Sequence, residues 1–184
     1  NADVGQETAE RLNRRSPSIF VRADVSKKAD MLAVATTALE RFGRIDILCQ
    51  NAGIFPYHLI DEIDEAEWDQ VLAVNLKGAF LAFQACYEAM KRQRYGRVIF
   101  TSSITGPRVS VPGHGHYSAS KAGIVGFIRA AAIEAAPFNI TVNGVEPGNI
   151  LTEGIKRDRF PEYAEAMRRS VPLGRLGTPR DVAY

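Results

Sequence analysis

Several protein classes are excluded by what this 184-residue chain has little of. Its two cysteines, Cys49 and Cys86, sit in apolar runs with no partner spacing and no neighbouring histidine, so they read as reduced core thiols, and a disulfide framework is excluded. No apolar run reaches the roughly 20 residues a membrane helix requires. Nothing at the start reads as a secretory signal, and a cytoplasmic protein is the expectation. An excess of either sign of charge is lacking: 23 basic residues face 21 acidic ones, for a net charge of +2, which is no footprint for nucleic acid. The densest basic stretch, "KRQRYGR" from Lys91 to Arg97, closes a helical pattern, where cations complement the helix dipole. Among three histidines, the pair His114 and His116 ("HGH") lacks a third ligand nearby, so no structural zinc site is expected. The sequon "NIT" at Asn139 is read as chance. Repeats, linkers and low-complexity segments are absent, which leaves residues 1–184 as one domain.

What is present is alternation. Residues 5–13 read as a helix, "SIFVRADV" (18–25) as a strand, and 28–42 as a helix stopped by Gly43. "IDILCQNAG" (45–53) is a strand that runs into a glycine turn. Residues 65–92 form a long helical stretch, "GRVIFTSS" (96–103) the next strand, 117–136 a helix, and "ITVNGVEPG" (140–148) a further strand and turn. Strand and helix in this order, with β-branched strands, predict an α/β fold: a doubly wound, Rossmann-type parallel sheet with helices on both faces.

In such sheets ligands bind beyond the carboxyl ends of the strands. The residues there are Asp24 and Val25, then Asn51, Ala52 and Gly53, then Ser102 and Ser103, then Pro147 and Gly148. Each is polar or a turn that lets backbone approach a ligand. After the third of these strands comes "HYSASKAG", which sets Tyr117 four positions before Lys121 with only small residues between. On a helix that spacing gives one face and a separation of about 6 Å along the axis. A phenol has a pKa of about 10, and bringing it near 7 requires about 4 kcal/mol. A cation 4 to 6 Å away supplies roughly 3 to 4 kcal/mol at an effective dielectric near 20.

With "NAG", "VNLKG", "SSITG", "YSASK" and "PGNILTEG" in this order, essentially the whole chain resembles the short-chain dehydrogenase/reductase family, most closely its 3-oxoacyl-carrier-protein-reductase-like branch. The resemblance implies an NAD- or NADP-dependent oxidoreductase that interconverts a ketone or β-keto group and a secondary alcohol. It makes Tyr117 the general acid/base and Lys121 the residue that lowers its pKa and holds the nicotinamide ribose. Asn75 becomes the anchor of a proton-relay water, with a tie between helix and neighbouring strand as the alternative. Ser103, three before Gly106, is preferred to Ser102 as the catalytic serine, and Ser102 is left to the strand-end backbone. Asp24 and Val25 are implied as adenine contacts, with a plain turn role for Asp24 as the alternative. Asn51, Ala52 and Gly53 are implied at the adenosine ribose, and Pro147, Gly148, Ile150 and Thr152 at the carboxamide.

Departures from the family pattern carry expectations of their own. No glycine-rich phosphate loop follows a strand; "GHGHYS" has the wrong ending. The expectation is a natural chain longer at both ends, with the choice between NAD and NADP set before Asn1. Carrier-docking basic residues are represented by Arg94 alone, with Phe138 at the other position, which implies weak carrier dependence and better use of coenzyme A thioesters or small β-ketoesters. Residues 153–179 carry Phe160, Tyr163, Ala164 and Met167 at helical spacing and read as an amphipathic substrate lid. Small and apolar residues over 65–92 and 117–136 exceed what one buried face needs, and the resemblance implies a homotetramer. A sugar or polyol dehydrogenase of the same family, or a silent dinucleotide-binding scaffold, are the alternative functions.

Overall fold

Three of the expected strands pair with one another. The computed structural model describes residues 2–152 and 161–183. In it β1 (Ile47–Gln50), β2 (Gly96–Thr101) and β3 (Ile140–Val145) form a parallel sheet in the order β1-β2-β3, with Gln50 opposite Phe100 and Thr101 opposite Val145. The helices are α1 (Ala2–Asn13), α2 (Lys28–Phe42), α3 (Glu65–Leu72), α4 (Gly78–Gln93), α5 (Gly115–Ala135), α6 (Pro161–Ser170) and α7 (Pro179–Ala183). A π-helical turn, Ala73–Lys77, joins α3 to α4, so the long helical stretch is continuous but carries one wide turn. None of the helices among the described residues is long and apolar enough to cross a membrane.

The segment 18–25 is a correction: residues 17–24 are not in a strand. β-branched residues suit a pleated surface, but a strand exists only where a neighbour completes its ladder, and among the described residues the ladder runs through β1, β2 and β3 alone. The lid expectation falls partly on residues 153–160, with Phe160, which lie outside the described residues; α6 occupies part of the remainder.

The core forms where alternation along the strands meets the helical stripes. Val98, Phe100, Ile140 and Val142 turn one way and bury themselves against Ala35 of α2, Phe83 and Met90 of α4, and Ile124 and Ala131 of α5. Phe100 meets the rings of Phe83 and Phe127 edge-on, at 6.4 and 5.6 Å. The other face presents Ile47, 64% exposed, and Ile99, 37% exposed. Cys49 points that way too, so only Cys86 is a core thiol, with its pKa pushed up to about 11 by burial. The expectation of two core thiols fails because period-two alternation sends Cys49 to the side opposite Leu48 and Gln50.

Helix ends follow local chemistry. Gly43, at φ +77°, closes α2 with its N–H on Leu39 O, and the Asp64 carboxylate caps α3 by accepting from the Glu67 N–H at 2.7 Å. The basic run ends α4 as expected: Lys91 pairs with Glu88, and Arg94 donates to Pro137 O at 3.0 Å. Arg94 and Phe138 precede β2 and β3, so both lie at the end of the sheet remote from the strand ends that carry Ser103 and Gly148. Within this chain both positions are therefore remote from the site.

Candidate active site

The first turns of α5 meet the carboxyl end of β2. Tyr117 is the third residue of α5, and its hydroxyl lies beside the side chain of Ser103, just past β2. Ser103 Oγ also accepts from the Thr105 N–H at 3.0 Å. Ser102, its neighbour, turns inward and donates to Lys121 O at 2.9 Å. The two serines thus divide: Ser103 lies beside the phenol, and Ser102 satisfies a carbonyl of α5 instead of the strand-end backbone.

One turn further along α5, the Lys121 ammonium lies 5.6 Å from the centroid of the Tyr117 ring and donates to Thr101 O at 2.7 Å. Lys121 is 4% exposed, and no carboxylate among the described residues pairs with it. Burial alone pushes its pKa down to about 8. Tyr117 goes the other way: burial raises its pKa, and the Ser103 hydrogen bond lowers it by less. The expected depression of the phenol is thus corrected for this state, because withdrawal from water costs the phenolate more than Ser103 returns.

Asn75, in the π-helical turn, is completely buried. Its Oδ1 accepts from the Ile54 N–H at 2.8 Å, and its Nδ2 donates to Ile54 O at 2.9 Å and to Ser120 Oγ at 3.1 Å. Both amide protons are used, so the tie to the loop after β1 is realised. π-helical turns are frequently found at functional sites. Gly53 explains the missing side chain in that loop: a Cβ there would meet Asn75 Oδ1 at 3.2 Å and Lys121 Nζ at 3.6 Å. Gly106, at φ +104°, is required for the same kind of reason, since a Cβ would collide with the Ser118 backbone on α5.

Of the remaining expected positions, Asp24 serves a turn: its Oδ1 accepts from the Ser26 N–H and hydroxyl at 3.0 and 2.7 Å, and these bonds lower its pKa. Val25 packs against Gly78 at the start of α4. Asn51, Ala52 and Gly53 are exposed beyond β1, and Gln50 behind them donates to Ala52 O at 3.1 Å while its own Oε1 is buried without a partner. Pro147 O accepts from the Ile104 N–H at 3.1 Å, which brings the turn after β3, with Gly148, against the loop that carries Ser103. Ile150 bridges to Gly177, and Thr152 is half-buried at the edge of the described chain. Among the described residues no group of three His, Cys, Asp or Glu is arranged to hold a metal.

Sequence reasoning missed three residues next to Tyr117. His116 is fully buried with Nε2 at 2.7 Å from Glu67 Oε1, and His58 Nδ1 lies 2.9 Å from the same oxygen. Spacing along the chain held no signal for this cluster, because loop, α3 and α5 each contribute one member.

The sequence profile of the short chain dehydrogenase family matches residues 1–162. The chain belongs to that family. It is therefore an oxidoreductase, and membership implies a nicotinamide dinucleotide, NAD or NADP. Among its relatives is an uncharacterized oxidoreductase of Thermotoga maritima, 37% identical over 188 residues, covering 99% of this chain and 74% of the relative. A 3-oxoacyl-(acyl-carrier-protein) reductase FabG of Staphylococcus aureus is 38% identical over 166 residues, covering 90% of this chain and 67% of that protein. The crystal structure of gox2181 superposes with a TM-score of 0.90 at 31% identity, covering 96% of this chain and 70% of that one.

The residues fit the nicotinamide half of such a cofactor. Lys121 holds a buried ammonium whose three donors face one protein acceptor, Thr101 O. Gly53 leaves open the space in front of it that a side chain would fill.

Proposed function

We propose that this protein reduces the keto group of a β-ketoacyl compound to a secondary alcohol with NADH or NADPH, most readily as a thioester. The observation that carries the reading is that Ser103 and the Lys121 ammonium converge on Tyr117, the serine beside the hydroxyl and the ammonium 5.6 Å from the ring centroid. The dinucleotide, when bound, supplies the hydride. The Ser103 hydroxyl holds the substrate oxygen, and the Tyr117 hydroxyl gives it a proton. A phenol whose pKa stands above its ordinary value keeps that proton at neutral pH, so Tyr117 is set up as a donor. Lys121 grips the ribose hydroxyls and replaces the proton; Asn75 keeps one lone pair of Oδ1 for a relay water. Asn51 and Gly53 line the ribose side, Asp24 and Val25 the adenine side, and Pro147, Gly148, Ile150 and Thr152 the carboxamide side.

An acyl substrate is favoured over a polyol by the walls nearby. A cleft of about 330 Å³ adjoins Gly115 at the start of α5 and is lined by Leu59, Ile60, Val111 and Pro112, with Asp61 and Ser110 among them. Its aliphatic side chains offer a surface for the chain of an acyl substrate. Residues 161–179 would close over it as a lid. Phe80 and Ile133, exposed on α4 and α5, are the anchors for further copies in a tetramer, which light scattering checks. The decisive test is Tyr117→Phe, assayed by the absorbance of reduced nicotinamide against β-ketoacyl thioesters and, separately, polyols. We expect kcat to fall about 10²- to 10⁴-fold with unchanged cofactor affinity. Retained turnover would remove Tyr117 from the chemistry, and a preference for polyols would overturn the substrate.

A further inference from the structure

Tyr117 is held by its backbone at both ends from the helical stretch that precedes it. Its carbonyl accepts from Ser120 Oγ at 2.7 Å, and Ser120 is itself held by Asn75. Its N–H belongs to the first turn of α5, where N–H groups have no intrahelical acceptor. The residue at the cap, His114, makes no side-chain cap bond, and the His116 ring takes over: Nδ1 accepts from the Tyr117 N–H at 2.9 Å.

That bond determines the tautomer. A neutral imidazole has one donor and one acceptor. With Nδ1 facing an N–H, the proton must sit on Nε2, and Nε2 points at Glu67 Oε1, 2.7 Å away. A carboxylate only accepts, so both ends of the ring agree. Glu67 is kept ionised from the far side by His58, whose Nδ1 lies within 2.9 Å of both carboxylate oxygens; the Glu67 pKa falls and the His58 pKa rises accordingly. The fully buried His116 ring takes no part in the proposed proton transfer, and its environment is complete only if it serves Tyr117.

We propose that Glu67 and His116 are positioning residues: Glu67 holds the His116 ring as its Nε2–H tautomer, so that Nδ1 accepts the Tyr117 N–H and seats the phenol against Ser103. This rests on Tyr117 as the proton donor. Displacement of a reacting group by about 1 Å can cost up to a hundredfold in rate.

The test is a set of substitutions in the purified protein. Glu67→Met keeps a side chain of similar length but offers Nε2–H no acceptor, so neither the ring nor its tautomer is held. His116→Asn sets Oδ1 where Nδ1 stood, an acceptor that needs no tautomer. We expect Glu67→Met and His116→Ala to lower kcat about tenfold with KM within about twofold. His116→Asn should recover most of what His116→Ala loses, and Glu67→Met should cost little more when added to it. Rates are expressed per nicotinamide-binding site, counted by titration, so a loss of folded protein is not mistaken for misplacement. Nitrogen NMR of the imidazoles should find His116 protonated on Nε2 alone in the native protein.

Unchanged kcat in Glu67→Met, equal losses in His116→Asn and His116→Ala, or a proton on Nδ1 in the native protein would each overturn the proposal. If the native protein reduced no carbonyl compound, the functional reading would fail first, and the imidazole signals would still decide the tautomer on their own.

Discussion

The two halves of α5 share one helix and bury opposite kinds of group. From Ile124 onward its inward face is apolar, with Ile124, Ala131 and Ala135 buried against β2 and β3. Before Ile124 the inward face holds His116, Ser120 and Lys121, all buried and all polar. Burial therefore does not separate core from site here. The separation lies in how each polar group is satisfied: His116 and Ser120 have partners on both sides, whereas Lys121 carries a charge in a dry place with one carbonyl to hold it. The core half supplies stability, the satisfied polar residues supply geometry, and the cost is concentrated on one ammonium.

The largest stability effect should come from the apolar half. Ile124 is fully buried, so Ile124→Ala removes buried methyl groups and leaves a cavity, for a loss of about 2–5 kcal/mol. Chemical denaturation measures this. If it cost less than 1 kcal/mol, the apolar half would not be the anchor of the helix, and the comparison would collapse.

A smaller change of opposite sign is expected one turn back. With a folded-state pKa of about 8 against an ordinary 10.5, the Lys121 ammonium is destabilising wherever both states are protonated, below about pH 8. As pH rises from about 8 towards 10.5, the folded protein loses this proton first and the penalty is relieved. Lys121→Met removes the penalty but leaves Thr101 O without its donor, which returns about 1–3 kcal/mol. We expect the variant to be inactive yet about 1 kcal/mol more stable than the native protein at pH 7, with the advantage shrinking above pH 8. A variant less stable than the native protein at every pH would show that Lys121 is satisfied after all.

The site was legible in the sequence to the extent that its members are local. Tyr117 and Lys121 sit on one helix at one-turn spacing, and Ser103 follows a recognisable strand, so the pattern carries their meeting. Asn75 was legible as a position, but its grip on Ile54 depends on a loop brought alongside, and the π-helical turn has no pattern of its own. Glu67 and His116 were not legible as a pair, since a carboxylate before Trp68 and a histidine before Tyr117 are ordinary surface residues until α3 packs beside α5. The strand expected over 18–25 failed for the complementary reason: its residue types suit a sheet, and pairing is not a property of residue types. Direction of the phenol pKa was misjudged because charge attraction can be estimated from spacing, whereas burial cannot.

The smallest effect separates two adjacent hydroxyls. Ser102 is buried and donates to Lys121 O, a carbonyl inside α5 whose helical bond it supplements, so Ser102→Ala loses one neutral hydrogen bond at a cost of about 0.5–1.5 kcal/mol. Turnover should change little, because the bond ends on backbone and leaves the ammonium of Lys121 where it is. Ser103→Ala should do the reverse. Its Oγ accepts from the Thr105 N–H, and Thr105 is half-buried, so the freed N–H keeps some access to water and the loss of stability should not exceed that of Ser102→Ala. The hydroxyl that faces Tyr117 would be gone, however, and with it one of two groups around the substrate oxygen, for an expected loss of about 10²-fold or more in kcat. Melting curves and steady-state rates on the two variants, measured side by side, decide the assignment. Should Ser102→Ala lose the activity and Ser103→Ala the stability, the serines would exchange roles, and the placement of the substrate oxygen beside Tyr117 would have to move inward with them.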